Sequence, residues 1–232
     1  MAVVIANNLQ QPFRVSLAIL GLLLLAVLMW HFRPVRSAAP ALQQAILLSE
    51  PLSLGAFRLQ DQYGQRVQAA DLQGRWHLLS YGYTYCPDVC PLTLAKLAYL
   101  QQQLALETEY PQLDLLFYSV DPVRDSAEEL ARYLQYFAAD IRGLRPDPQA
   151  ATLALPFEQA LSLRFSIEDD KTGTSDYAVA HGIKLYLLNP AARLQAVFFP
   201  VNRPGAAVPE FDVDKLQADY LAIRRYLATQ SD

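Results

Sequence analysis

The sequence predicts a mixed α/β domain in which helices cover both faces of a central sheet, a three-layer α/β/α arrangement, preceded by one apolar N-terminal helix. Apolar runs typical of buried strands alternate with segments of helical periodicity, which is the pattern of a sheet covered by helices. The chain then closes with a predicted hairpin and a helix. Residues 51–232 are numerous enough for one well-buried domain, and they contain no internal repeat.

The apolar N-terminal segment comprises residues 15–32, which carry no charged side chain and follow a short tail, residues 1–14. Its 18 residues are just enough to cross a bilayer as one transmembrane helix. A cleaved signal peptide is the alternative, because small residues follow at 37–39, but Pro40 directly after them disfavours cleavage. Residues 33–50, with their prolines, alanines and glutamines, are predicted to be a linker.

The first elements expected in the domain are a hairpin, a strand and a helix. A turn at residues 61–64 separates residues 57–59 from residues 66–67, which indicates two short antiparallel strands. The mostly apolar run 76–83 predicts a buried strand. A helix is expected at residues 91–107, because its leucines share one face.

The later part of the domain is predicted to contain further strands and helices and then a closing helix. In chain order these are a strand at 113–120, helices at 126–138 and 156–165, and hairpin strands at 183–188 and 194–199. Asp212 is expected to cap the last helix, in which Leu216, Tyr220, Ile223 and Leu227 recur at helical spacing.

The two cysteines of the chain, Cys86 and Cys90, lie between the predicted strand 76–83 and the helix that follows it. Pro87 biases Cys86 towards an extended backbone, and Pro91 is favoured at the start of a helix. Both thiols are therefore expected near a helix N-terminus, whose N–H groups and dipole favour the thiolate. Such a pair can hold a soft metal ion or cycle between dithiol and disulfide. An inert structural pair is the remaining alternative.

Metal binding by two thiolates requires a third donor, and the chain has three histidines. His31 ends the apolar segment, and His77 lies in a predicted buried strand, where a structural role is expected. His181 precedes an apolar strand and is either a ligand or a solvated turn residue. Two thiolates and an imidazole suit Cu(I), whereas zinc normally takes a fourth ligand. Met1 and Met29 are remote in sequence, so we expect no thioether ligand.

Four charged residues close to these motifs are predicted to have structural or orienting roles. Asp121, Arg124 and Asp125 follow a predicted strand, and we interpret them as structural residues of its loop. Asp176 is a candidate to orient His181, with a solvated turn residue as the alternative.

Three blocks of the sequence, residues 81–94, 119–125 and 176–181, resemble the conserved blocks of the Sco/SenC family of copper-binding assembly proteins. The most specific is Cys-Pro-Asp-Val-Cys-Pro at 86–91, and the resemblance extends over residues 51–227. It implies a thioredoxin-like fold, with Cys86, Cys90 and His181 as ligands of Cu(I) and, in a second state, Cu(II).

The same resemblance implies a copper chaperone rather than an enzyme. It would donate copper to the cytochrome c oxidase subunit that carries a copper site, reduce the cysteines of that subunit, or do both. Another copper chaperone is a further candidate partner. The membrane-anchored family also implies an inner-membrane protein with its N-terminus inside and its domain in the periplasm or an equivalent space.

A thiol–disulfide oxidoreductase that uses Cys86 and Cys90 as a redox pair is the alternative function. Its usual spacing is Cys-x-x-Cys, and one more residue intervenes here. Thioredoxins also carry a cis-proline before the strand that faces the active site, where this chain has His181. A nucleic-acid partner is disfavoured, because removing the three arginines of residues 1–36 from the formal net charge of −4 leaves −7 for the remainder.

Overall fold

The computed structural model describes residues 11–31, 38–167, 177–202, 205 and 208–230. The chain divides near residue 40 into two compact units. The first unit contains helix α1 (Gln11–His31), which includes the predicted anchor except for Phe32, a residue outside the described ranges. Across the described ranges, no helix is both long and apolar enough to cross a membrane. The membrane-spanning role of residues 15–32 stays a prediction.

The second unit is an alternation of strands and helices. Within the described residues these are β1 (Ala45–Ser53), β2 (Leu59–Asp61), β3 (Arg66–Val67), β4 (His77–Gly82), α2 (Val89–Leu104), β5 (Asp114–Ser119), α3 (Ala127–Leu134), β6 (Ile141–Pro146), α4 (Leu155–Ala160), β7 (Phe165–Ile167), β8 (Val179–His181), β9 (Leu185–Leu188), β10 (Arg193–Phe198) and α5 (Val213–Ala228).

A mixed sheet forms the middle layer of this unit, with the strand order β1-β10-β9-β4-β5-β6-β2-β3. Strands β4, β5 and β6 are parallel, and the remaining neighbours are antiparallel. Gly82 at the end of β4 pairs with Ser119 at the end of β5. The loops that follow these two strands therefore leave the sheet at the same edge. Strands β7 and β8 form a separate antiparallel pair.

Both faces of the sheet carry a hydrophobic core, because successive side chains of a strand point to opposite faces. On one face, residues such as Leu78 and Phe117 pack with buried leucines of α2, α3 and α5. On the other face, Leu79 and Tyr118 pack with Phe157 of α4. The three-layer α/β/α arrangement predicted from the sequence is confirmed.

Several predicted boundaries differ from the observed ones. The sheet begins within the predicted linker 33–50, because β1 starts at Ala45 and pairs with β10. This pairing joins residues distant in sequence, which local composition does not reveal. Helix α2 starts at Val89, so that Cys90 lies inside its first turn. Helix α4 ends at Ala160, short of the predicted residue 165, and Ser162 follows with a left-handed φ of 49°.

Other elements agree closely with expectation. Strands β2 and β3 form the predicted hairpin, and its turn contains Gly64 with a φ of +76°. Strands β9 and β10 form the second hairpin. The Asp212 side chain accepts a hydrogen bond from the N–H of Lys215 and so caps α5, and Ser126 caps α3 in the same way. The strands β6, β7 and β8 were not anticipated from the sequence.

Candidate metal centre

Cys86 and Cys90 lie on either side of the start of α2. Cys86 is half-buried in the loop after β4, where its N–H donates to the carbonyl of Tyr83 at 3.2 Å. Cys90 is buried, with 3% of its surface exposed, in the first turn of the helix. The thiol of Cys86 is therefore more accessible to solvent than the thiol of Cys90.

His181 is the last residue of β8 and pairs there with Phe165 of β7. Its Nε2 lies 3.3 Å from Sγ of Cys90, and its Nδ1 lies 3.0 Å from the carbonyl oxygen of Gly182. A proton on Nδ1 is donated to that carbonyl, which leaves the lone pair of Nε2 directed at the thiols. The backbone next to His181 therefore orients the imidazole so that Nε2 could donate to a metal ion.

The three donor atoms of Cys86, Cys90 and His181 lie within 4.8 Å of one another. Among the described residues, this is the one group of three or more His, Cys, Asp or Glu side chains that converges in this way. Because metal–thiolate bonds are about 2.3 Å long, two sulfurs on one ion are at most about 4.6 Å apart. The group thus fits one soft metal ion with small adjustments.

The two thiols are electrostatically unequal. The interaction with Cys90 lowers the pKa of Cys86 to about 3 against the opposing effect of burial, and the N–H groups of Cys90 and Asp88 act in the same direction. The pKa of Cys90 is raised, because Cys90 interacts with Cys86 and is buried. In the metal-free dithiol, Cys86 therefore ionises at lower pH than Cys90.

Two glycines, Gly82 and Gly182, leave the space that neighbouring side chains of the site occupy. A Cβ atom on Gly82 would collide with Sγ of Cys90 and would lie 3.4 Å from the ring of His181. A Cβ atom on Gly182 would lie 2.5 Å from the hydroxyl oxygen of Tyr81. Sequence reasoning missed both roles, since nothing local to either glycine indicates which side chain will pack against it.

Asp125 holds the cysteine loop from the neighbouring strand end. Its buried carboxylate accepts hydrogen bonds from the N–H of Thr84 at 3.0 Å, from the Thr84 hydroxyl at 2.6 Å and from the Ser119 hydroxyl at 2.5 Å. Burial raises the pKa of Asp125, while these hydrogen bonds act in the opposite direction. The structural interpretation of Asp125 is confirmed, but its partner Thr84 lies 41 positions away rather than in its own loop.

The remaining polar residues considered from the sequence lie elsewhere. His77 is buried, with its Nε2 3.0 Å from the carbonyl of Leu72, and burial lowers its pKa. Its predicted structural role is confirmed. Asp176, the candidate orienting residue of His181, lies outside the described residues.

Comparison with known proteins agrees with this geometry. The SCO1/SenC family model matches residues 48–212. The human protein SCO2 homolog, mitochondrial, is 37% identical over 136 residues, which are 59% of this chain and 50% of that protein. The chain therefore spans about half the length of that relative.

Solved structures match over a larger share of the chain. Copper-bound ScoI of Arabidopsis thaliana is 29% identical with a TM-score of 0.59, over 74% of this chain and 97% of that one. Copper-bound yeast Sco1 is 29% identical with a TM-score of 0.58, over 74% and 90% respectively. These matches confirm the predicted thioredoxin-like fold. Since the matched segment includes most of the chain and all three converging donors, the protein belongs to the SCO1/SenC family.

Proposed function

We propose that this protein is a copper chaperone that binds the metal through Cys86, Cys90 and His181 and serves the assembly of the copper centre of a cytochrome c oxidase. The convergence of two sulfurs and one imidazole nitrogen within 4.8 Å is the observation that carries the proposal. This donor set is soft and favours Cu(I). The copper-bound structures of Arabidopsis ScoI and yeast Sco1 support the choice of metal.

The unequal exposure of the ligands suits transfer rather than permanent storage. Three donors leave one side of a copper ion open to an incoming thiolate of a partner. Cys86 is the most accessible sulfur and is the first that such a thiolate would displace, while Cys90 and His181 stay in the interior. The cytochrome c oxidase subunit that carries a copper site is the proposed acceptor, and another copper chaperone is the proposed donor. No catalytic turnover is part of this function.

A thiol–disulfide oxidoreductase remains a second candidate, favoured by the pKa difference between the two thiols. The Cys86 thiolate would attack a target disulfide to form a mixed disulfide, and Cys90 would then displace the target thiol. The target disulfide is thereby reduced, and Cys86 and Cys90 become oxidised to a disulfide. Both functions use the same two sulfurs.

We further propose that residues 15–32 anchor the protein in the inner membrane, with the domain in the periplasm or an equivalent space. The support is the uncharged apolar sequence of this segment and the exposure of its large side chains from Ile19 to Leu28. Extraction of cell membranes with alkaline carbonate tests the anchor, and protease treatment of spheroplasts tests the side. Release of the full chain into the soluble fraction would contradict the anchor.

The copper proposal is tested by anaerobic titration of the reduced full-length protein with Cu(I) against a competing chelator. We expect one tight equivalent, abolished in Cys86→Ser and Cys90→Ser and weakened in His181→Ala. His31→Ala is the control, since it removes a histidine that is not one of the three proposed ligands. Weak binding that is indifferent to His181 would reject the chaperone proposal, and the reduction potential of the cysteine pair would then test the oxidoreductase.

A further inference from the structure

The side chain of Arg124 joins the loop after β5 to the segment that leads into His181. Its Nε donates to Asp121 Oδ2 at 2.5 Å, and its Nη1 donates to the carbonyl oxygen of Tyr177 at 2.7 Å. The hydroxyl of Tyr177 in turn donates to Asp121 Oδ1 at 2.6 Å. The three residues therefore close a ring of hydrogen bonds, and Tyr177 lies four positions before His181.

The guanidinium of Arg124 also contacts the tyrosines of the cysteine loop. Its central carbon lies 3.7 Å from the ring centroid of Tyr177, 5.1 Å from that of Tyr85 and 5.5 Å from that of Tyr83. A cation over aromatic rings at these distances is attracted by their electron-rich faces. Tyr85 directly precedes Cys86. One cation thus contacts both segments that carry metal ligands.

The ion pair between Arg124 and Asp121 is buried. The side chain of Asp121 has 0% exposure and that of Arg124 has 11%. A buried ion pair is sensitive to loss of one partner, because the other charge is then left without compensation. Tyr83 links Arg124 to His181, because its ring contacts the guanidinium and also packs edge-on against the imidazole of His181 at a centroid distance of 5.8 Å.

We propose that Arg124, together with Asp121 and Tyr177, acts as a positioning clamp that holds His181 beside the two cysteine thiols and so sets the contribution of His181 to copper binding. The inference rests on the proposed function and adds residues that do not touch the metal. It extends the sequence interpretation of Asp121 and Arg124 as structural residues of their loop, because Arg124 also binds the segment that leads into His181.

The test compares Arg124→Gln with Arg132→Gln in the full-length protein. Arg132 is a matched control, because it also pairs with a carboxylate three positions away, Glu129, but on an exposed face of α3. We expect Arg124→Gln to weaken Cu(I) binding by about 10-fold to 100-fold, the range typical of residues that orient a metal ligand, and Arg132→Gln to leave it unchanged. Arg124→Lys, which keeps the charge but not the planar fork, should recover only part of the loss.

A double-mutant cycle separates positioning from general stability. In the His181→Ala background, Arg124→Gln should change the affinity by less than about 2-fold, because the residue through which it acts is absent. In the Cu(II) form, Arg124→Gln should also weaken the nitrogen hyperfine coupling in electron paramagnetic resonance spectra. Without copper, the ring resonances of His181 should broaden in Arg124→Gln and stay sharp in Arg132→Gln.

Two results would overturn the inference while leaving the proposed function intact. They are wild-type affinity in Arg124→Gln and an equal loss with and without His181. Failure of the wild-type protein itself to bind copper would instead reject both. If Arg124→Gln does not fold, Tyr177→Phe is the deciding variant, since it removes only one hydroxyl. It must lower the copper affinity when His181 is present and not in the His181→Ala background. An unchanged copper affinity in Tyr177→Phe would overturn the clamp.

Discussion

Gly82 places the end of β4 directly against two of the proposed ligands, Cys90 and His181. Its backbone needs no positive φ, so its importance lies in the space that a side chain would occupy. That space is already filled by Sγ of Cys90 and bordered by the ring of His181. The position therefore controls the distance between sulfur and imidazole without offering any donor atom.

Gly82→Ala is expected to weaken Cu(I) binding by about tenfold or more, because the new methyl group must displace the sulfur of Cys90, and overpacking of this kind costs about 1–3 kcal/mol. Chelator competition measures the affinity, and a thermal melt shows whether the variant is folded. Gly21→Ala is the control, since its added Cβ would meet nothing within 4 Å apart from its chain neighbours and the backbone of its own helix. Unchanged copper affinity in folded Gly82→Ala would contradict the described packing.

Cys86 is expected to react with iodoacetamide before Cys90 in the reduced, metal-free protein. Its lowered pKa keeps Cys86 a thiolate well below neutral pH, so its alkylation rate should change little between about pH 5 and pH 8. The rate of a thiol with the ordinary pKa of about 8.5 would fall several hundredfold over the same range, because its thiolate fraction falls by that factor. Peptide mapping by mass spectrometry identifies the modified residue. Preferential labelling of Cys90, or a rate that falls tenfold per unit of acidification, would exclude this assignment.

At the scale of elements, one carboxylate fixes the start of β1 to helix α5. Asp219 has 2% exposure and accepts hydrogen bonds from the N–H groups of Gln43, Gln44 and Ala45 at distances from 2.7 to 3.1 Å. Those residues belong to the predicted linker. Asp219 thus explains why the ordered domain begins before residue 51, and it anchors the strand at one edge of the sheet.

Asp219→Ala is expected to lower the free energy of unfolding by about 3 kcal/mol, because it leaves the buried N–H of Gln44 and the part-buried N–H groups of Gln43 and Ala45 without their acceptor. Urea denaturation followed by circular dichroism measures the change. Asp214→Ala, on the exposed first turn of the same helix, should cost at most about 1 kcal/mol through the helix dipole. Equal losses in the two variants would show that the hydrogen bonds to β1 contribute little.

At the scale of the whole molecule, the site joins the central sheet to the smaller second sheet. Cys86 and Cys90 follow the central sheet, whereas His181 belongs to the β7–β8 pair. An ion bound by all three residues therefore cross-links the central sheet and the smaller one. The clamp around Arg124 performs the same joining function when no metal is bound.

Cu(I) at about 100 times its dissociation constant should raise the melting temperature of the reduced protein by roughly 5–10 °C, because a ligand that binds only the folded state adds about 2.7 kcal/mol. Differential scanning calorimetry measures the shift. Protein oxidised to the Cys86–Cys90 disulfide should show none, since both sulfurs are then unable to bind the metal. A full shift after oxidation would place the copper elsewhere.

The two cysteines among the proposed ligands could be predicted from the sequence, because the pattern that identifies them is local. Cys86, Cys90 and their flanking prolines lie within a few residues of each other, and apolar periodicity predicted the strand before them and the helix after them. The mostly apolar runs at 76–83 and 113–120 likewise predicted strands that are buried on both faces of a sheet. Resemblance to the Sco/SenC family then singled out His181 among three histidines.

Only the tertiary structure decided how these residues meet. Cys90 and His181 are 91 positions apart, and the short strand β8 that carries His181 has no sequence pattern of its own. The roles of Gly82, Arg124 and Asp219 also depend on partners distant in the chain. The local sequence sets the secondary-structure preference of a segment. The partner of a buried charge, of an edge strand or of a glycine is instead set by contacts between distant segments, and these contacts stabilise the protein only when the whole domain is assembled.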